Sequence, residues 1–230
     1  MCGRYTLSAN LDEIRRAFGA KSSSMQNPLA GEWEWTPHYN ISPGMVVPVI
    51  AHDARKQRKL VPMRWGLHPH WRKEPPEGRP LFNARVETAT EKASFRTPFR
   101  RRRALIPTTG WYEWDGVEKP KIPNFIKEDH EDVFAFVGLW DKWRVDEGIE
   151  LLSCTILTTP AKGRIKNLHH RMPVRLPMSA WNDWLDTESN PLKILETQYG
   201  GEDLIFYEVD KVVNSGRAVG EDLIKPVNLA

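Results

Sequence analysis

Strand-like runs set between polar turns most constrain what this chain can become. Asn124 to Lys127, Val133 to Leu139 and Leu151 to Thr158 are three of them. Met45 to Ala51 and Lys59 to Trp65 flank a charged turn and predict a hairpin. Within it, Pro48 and Pro62 favour edge positions or bulges, because proline cannot donate to a ladder. The pattern is mainly antiparallel β. Asn10 caps an amphipathic helix that puts Leu11, Ile14, Ala17 and Phe18 on one face and ends at Gly19. Further helices are predicted from Glu87 to Phe95, over Ala161 to Leu168, after a Ser179 cap through Trp181, Trp184 and Leu185, and from Pro191. Lys21 to Asn40 reads as a long surface loop, and Leu204 to Val213 as a closing strand.

A chain of 230 residues can bury a sizeable core, and no stretch in it is a linker long enough to divide it. A single domain over residues 1–230 is predicted. Two cysteines, Cys2 and Cys154, do not make a disulfide framework, and a reducing compartment is the natural home. Cys154 lies in a strand and reads as core. No signal peptide and no apolar run long enough to span a bilayer is found, so a soluble protein without a membrane partner is expected. Its place would be the cytoplasm, on the nucleoid when bound to DNA, or the nucleus where a cell has one. The net charge of +3 is too small to argue for nucleic acid by itself. Distribution says more: Arg96 and Arg100 to Arg103 cluster, and the segment from Arg64 to Arg85 mixes cations with Trp65, Trp71 and Phe82. Such a mixture suits a groove where bases stack and phosphates pair. Most of the ten tryptophans are nevertheless expected in the core.

The first residues carry the most specific chemistry. Loss of Met1, favoured by the small side chain that follows, would leave Cys2 with a free amine and a thiol on adjacent carbons. The amine condenses with an aldehyde to an iminium, and the thiolate closes onto the same carbon to give a thiazolidine. A free α-amine titrates at about 7.7 to 8.0 and a free thiol near about 8.5, so both are partly reactive at neutral pH. The alternative is a small apolar residue entering a first strand.

Glu113 stands among Trp111, Tyr112 and Trp114, with Trp111 and Glu113 on one side of an extended chain. Burial of that side would raise the carboxyl pKa and make it a proton donor or acceptor near neutrality; a solvated hairpin is the other reading. His169 and His170 are adjacent, so in regular structure they point apart and make a poor metal pair; one of them could shuttle a proton or simply finish a helix. With no Cys-x-x-Cys and no helical His pair, no metal and no cofactor is expected. Asn83 could orient a substrate hydroxyl or an amine, or cap a turn, while Arg85 could grip a phosphate. Phosphate loops and Gly-x-Ser-x-Gly elbows are missing, which disfavours nucleotide hydrolysis and serine hydrolase chemistry.

Six segments in order, Met1 to Tyr5, Asn40 to Gly44, Arg64 to Leu67, Asn83 to Thr88, Gly110 to Trp114 and His169 to Pro173, together resemble the SOS response-associated peptidase family of abasic-site processing proteins. The resemblance implies a single α+β domain with a β-rich, mainly antiparallel, barrel-like core and peripheral helices. It implies a monomer whose partner is single-stranded DNA containing an abasic site, crosslinked through Cys2 as a thiazolidine, with lyase and self-processing activity. By position Asn83 would hold Cys2 and the sugar, Glu113 would act as general acid and base, and His169 would assist proton transfer. Arg4 and Arg85 would bind flanking phosphates, Trp65 would stack on a base, and Pro43 with Thr158 would line the groove. A thiol peptidase and a non-covalent single-strand binder are the competing readings.

Overall fold

The computed structural model describes residues 2–22, 33–75, 77–115, 121–130, 133–146 and 149–227. Among these the strands, in chain order, are β1 (Tyr5–Leu7), β2 (Lys21–Ser22), β3 (His38–Ile41), β4 (Val46–His52), β5 (Arg58–Trp65), β6 (Asn83–Arg85), β7 (Arg103–Thr108), β8 (Gly110–Asp115), β9 (Ile122–Glu128), β10 (Phe134–Asp146), β11 (Ile149–Pro160), β12 (Arg171–Pro173) and β13 (Leu204–Glu208). The α-helices are short: α1 (Leu11–Phe18), α2 (Val86–Ala89), α3 (Arg96–Arg101), α4 (Trp181–Leu185) and α5 (Pro191–Leu195). The result is the expected α+β domain.

Strands β5, β4, β7, β10 and β11 pair in succession, all antiparallel. β11 then returns to β5 in parallel register, with Ser153 opposite Arg64 and Cys154 opposite Trp65, which closes a five-stranded barrel. Farther along β11, the short strand β6 pairs in parallel, Asn83 opposite Ile156 and Arg85 opposite Thr158. A second antiparallel sheet has the order β13, β9, β8, β1, β3. Val47, Val49, Trp65, Ile106, Phe136 and Ile156 belong to the main core and are fully buried, each contributing about 1.5–3 kcal/mol where a large apolar side chain leaves water. On strand β8 the predicted alternation holds: Trp111 belongs to the large core, and Tyr112 to a second cluster with Phe125, Val209, Val213 and Leu223. Gly110 at the head of that strand is required by close approach, since a Cβ there would lie 2.3 Å from Phe125 Cζ.

Asn10 caps α1 with a full capping box and Gly19 closes it in the left-handed region at φ 56°, as predicted. Other expectations change. Pro48 and Pro62 face one another across the β4–β5 hairpin in the middle of the barrel wall, not at an edge. A rung of two prolines is tolerated because opposite residues in an antiparallel ladder alternate between bonded and non-bonded pairs. The helix expected from Glu87 to Phe95 is only α2, and the arginine cluster that follows forms α3. Gly163–Asn167 is a 3-10 turn, Ser179 lies in another that leads into α4 without capping it, and the closing strand stops at Glu208. The supposed loop from Lys21 to Asn40 contains β2 and β3, while its residues 23–32, like Met1 and the Gly116 turn, lie outside the described residues.

Asn40, expected at the end of that loop, is a strand residue and is 1% exposed. Its amide donates to Ser215 O at 3.0 Å and Ala218 O at 2.8 Å, and its oxygen accepts from Arg4, so it ties the C-terminal segment to the start of the chain. No described helix is long and apolar enough to cross a membrane.

Candidate active site at the amino terminus

Residues Cys2 to Arg4 run between the two sheets. On the β8 side Tyr112 N–H donates to Arg4 O at 3.0 Å, and on the β6 side Asn83 Nδ2 donates to Cys2 O at 2.7 Å. The first residues are thus held from both sides, and Cys2 is fully buried. Burial, and then the neighbouring Glu113 carboxylate, push its thiol well above the ordinary range, with the amino-terminal charge and the Arg4 backbone pulling the other way. The expected partly ionised thiol is therefore corrected: at neutral pH this sulfur keeps its proton until a base removes it.

Glu113 is the carboxyl that acts on this thiol. It sits at 3% exposure on the same face of β8 as Trp111. Burial raises its carboxyl to about 7, while the amino-terminal charge and Lys121 act in the opposite sense. Such a group exchanges a proton readily at neutral pH.

His169 is half-buried, and burial, then the amino-terminal charge, lower its imidazole to about 4, so it is neutral at physiological pH. Its Nδ1 lies 2.9 Å from the Arg171 N–H and 3.1 Å from the Arg171 carbonyl oxygen. The shorter contact makes Nδ1 the acceptor and leaves the proton on Nε2. The adjacent histidines do not point apart: in an irregular segment their rings stack at 4.2 Å with a 28° interplanar angle. Glu113 acts on the Cys2 thiol, and Lys121 acts on both Glu113 and His169, so the three lie in one region.

Asn83 completes the set. Its Oδ1 is buried and has no hydrogen-bond partner among the described residues. No group of three His, Cys, Asp or Glu able to hold a metal occurs among them either.

The expected DNA-contacting residues divide. Arg85 is exposed at the head of α2, and Pro43 is half-buried in the turn before β4. Arg4 is half-buried, held by Asn40 Oδ1 and by Val213 O at 3.0 Å, and lies 5.9 Å from the Trp114 ring centre. Trp65 is a correction. Its ring is 0% exposed, edge-on to Tyr5 at 5.0 Å and Phe82 at 5.9 Å, with the indole N–H on Phe82 O at 2.9 Å, so it cannot stack on a base. Thr158 is a second correction: it is fully buried under Arg171, whose guanidinium bonds Thr158 O at 2.5 Å, and it presents no groove surface.

Two residues of the region, Arg171 and Lys121, had no role assigned from sequence. Arg171 grips both Glu87 oxygens, at 2.5 and 2.9 Å, while its backbone holds His169. The presence of Glu87 and Arg171 in two of the six family-like segments was the only signal. Lys121, exposed just before β9, acts on Glu113 and His169 and had no sequence signal at all. Trp71 is 50% exposed and is the indole that the basic segment leaves open to solvent.

The fold and the site define a β-rich α+β class of protein in which a buried second-position cysteine stands among an amide, a protonatable carboxyl and a neutral imidazole. The chain belongs to the SOS response associated peptidase (SRAP) family, whose model matches residues 1–216. It is 37% identical over 229 residues to the abasic site processing protein YoqW of Bacillus subtilis strain 168, covering 98% of this chain and 99% of that one. It is 29% identical to the abasic site processing protein HMCES of Pongo abelii, covering all of this chain and 77% of that one. A crystal structure of a Bacteroides thetaiotaomicron protein shares the fold with a TM-score of 0.81 at 22% identity, covering 99% of this chain and 100% of its own.

Proposed function

We propose that this protein processes abasic sites in single-stranded DNA by covalent capture of the ring-opened sugar on Cys2 once Met1 has been removed. The observation that carries the reading is the placement of Cys2 at the junction of the two sheets beside Glu113, with its carbonyl held by Asn83. The names of the relatives YoqW and HMCES support the substrate.

The chemistry balances with the groups at hand. The α-amine of Cys2 adds to the aldehyde carbon, and Glu113 in its acid form protonates the carbinolamine hydroxyl, which leaves as water. The thiol proton then passes to the Glu113 carboxylate as sulfur bonds to the iminium carbon. A thiazolidine and one water result, and Glu113 ends protonated as it began. A carboxyl near 7 serves both directions, and a thiol that stays protonated until this step avoids idle oxidation. The unpartnered Asn83 Oδ1 can accept from the amine and aim its lone pair. His169, neutral with its proton on Nε2, can donate to the departing oxygen. From the same iminium, loss of a sugar proton would expel the 3′ phosphate, which is the lyase branch. Arg85 would pair with a flanking phosphate and Trp71, rather than Trp65, would offer the stacking surface.

A peptidase reading would need His169 as the base for the thiol, and an imidazole lowered to about 4 is poorly suited to taking a proton from a sulfur held well above its usual range. The deciding experiment incubates the protein with an oligonucleotide carrying one abasic site and runs a denaturing gel. A heat-stable shifted band is expected, lost in Cys2→Ala. A stable adduct in Cys2→Ala, or none with the wild type whose Met1 is shown by mass spectrometry to be absent, would overturn the reading.

A further inference from the structure

Next to the Trp65–Phe82 contact lies a cleft of about 70 Å³ lined by Arg64, Arg72, Arg79 and His68, with Glu77 its one carboxylate. Its size is far below the about 300–1,000 Å³ of pockets that engulf a whole small molecule, which leaves room for a single small group. Three guanidiniums here have no carboxylate partner among the described residues. Arg64 makes only a 3.5 Å contact to Gly66 O, and Arg79 lies over the Phe82 ring at 5.6 Å. His68 is 4% exposed, and a hydrogen bond with the Glu74 backbone helps to hold its ring beneath the arginines.

The cleft is built rather than accidental. His68 N–H is fixed by Ser153 Oγ at 2.9 Å, and its ring packs edge-on against Trp143 at 4.7 Å. Gly66 has φ 131°, and a Cβ there would meet Pro80 Cβ at 2.7 Å, so the segment Arg64 to Leu67 needs glycine to bring the arginine beside the loop. Three guanidiniums against a single carboxylate leave a surplus of positive charge that suits a tetrahedral oxyanion.

We propose that this cleft seats one backbone phosphate of the strand that carries the lesion. The proposal rests on the single-stranded DNA reading above and adds a defined contact to it. From the cleft, the chain runs through Trp65, whose indole holds Phe82 O, to Asn83 and the Cys2 carbonyl, so a strand crossing this contact joins the phosphate to the reacting sugar.

The test compares the wild type with Arg64→Gln/Arg79→Gln, using undamaged single-stranded DNA and fluorescence anisotropy over a range of salt. The variant is expected to bind about 5- to 10-fold more weakly, with a log–log salt slope shallower by about 0.7, the value for one fewer phosphate neutralised on a single strand. A walk of single methylphosphonate linkages through an abasic oligonucleotide needs no mutation of the protein. One linkage near the lesion should weaken the wild type by the same factor and leave the variant unaffected. If the wild type crosslinks abasic DNA while the variant keeps its affinity and slope and no single linkage separates the two proteins, the subsite is wrong and the function stands. If the wild type neither binds nor crosslinks, the function itself fails. Inorganic phosphate at matched ionic strength should not erase the difference between the two proteins; if it does, the cleft is a site for free phosphate instead.

Discussion

Asn83 Nδ2 donates to the carbonyl oxygen of Cys2 at 2.7 Å, joining residues 81 positions apart in the chain. The bond holds Cys2 against β6, itself fixed on β11, so the start of the described chain is fastened to the barrel. A terminus is ordinarily the least ordered part of a domain. Here it is core.

Replacing Asn83 by Ala should therefore act on chemistry more than on stability. Removing the bond and orphaning the carbonyl costs about 1–3 kcal/mol, measurable as a lower urea midpoint. The rate of adduct formation is expected to fall by more than about tenfold. Wild-type kinetics in a correctly folded Asn83→Ala protein would mean that the amide only supports the fold.

Glu113→Gln should remove a titration. Adduct formation by the wild type is expected to bend near pH 7, where Glu113 changes state, and the variant should be slower and lack that bend. Stability gives an independent check. A carboxyl raised to about 7 binds its proton in the folded state while the unfolded chain, near about 4.3, has released it. The native state then holds more protons between these values, so stability is greatest below the lower one and falls as pH rises through 7. Glutamine abolishes this loss, on the order of 3 kcal/mol, so Glu113→Gln should be the more stable protein at pH 8 and lose that advantage near pH 4.

Both cysteines are fully buried with thiols raised well above the ordinary range. Iodoacetamide at pH 7.5 should label neither in the native protein and both in denaturant, read by peptide mass spectrometry. Rapid native labelling of Cys2 alone would show that the closed site opens on its own.

The pair of Glu87 and Arg171 should matter for stability at low pH. Arg171 holds the Glu87 carboxyl below its ordinary value, so the contribution is present above about 4.3 and lost as pH falls through the folded pKa. Glu87 is 45% exposed on its side chain, which screens the pair. Glu87→Gln is accordingly expected to cost about 1 kcal/mol at pH 7 and to unfold like the wild type near pH 3, in urea melts at the two pH values.

Two tryptophans should separate fold from binding. Trp65→Phe removes a buried indole hydrogen bond and disturbs the ring packing with Tyr5 and Phe82, a cost of about 1–3 kcal/mol, with affinity for single-stranded DNA unchanged in the folded protein. Trp71→Ala is expected to leave the melting curve within about 0.5 kcal/mol and weaken binding, since stacking on a base is worth about 1–3 kcal/mol.

Alternation on β8, the capped α1 and the runs that became β9, β10 and β11 were legible because their determinants are local: a period, a cap, a turn. The aminothiol of Cys2 was legible for the same reason, since its chemistry lies within one residue. Barrel closure was not, because β5 meets β11 through a parallel pairing between residues such as Trp65 and Cys154 that no local pattern announces. Nor could sequence say that Trp65 would be sealed while Trp71 stayed open, as both stand beside cations in the same segment and only packing against Tyr5 and Phe82 separates them. The carboxyl of Glu113, the imidazole of His169 and the buried thiol owe their proton affinities to desolvation first, and then to charges the fold brings near, Glu113 beside the thiol and Lys121 beside the other two. These are properties of a shared environment, and such an environment exists only once distant parts of the chain have come together.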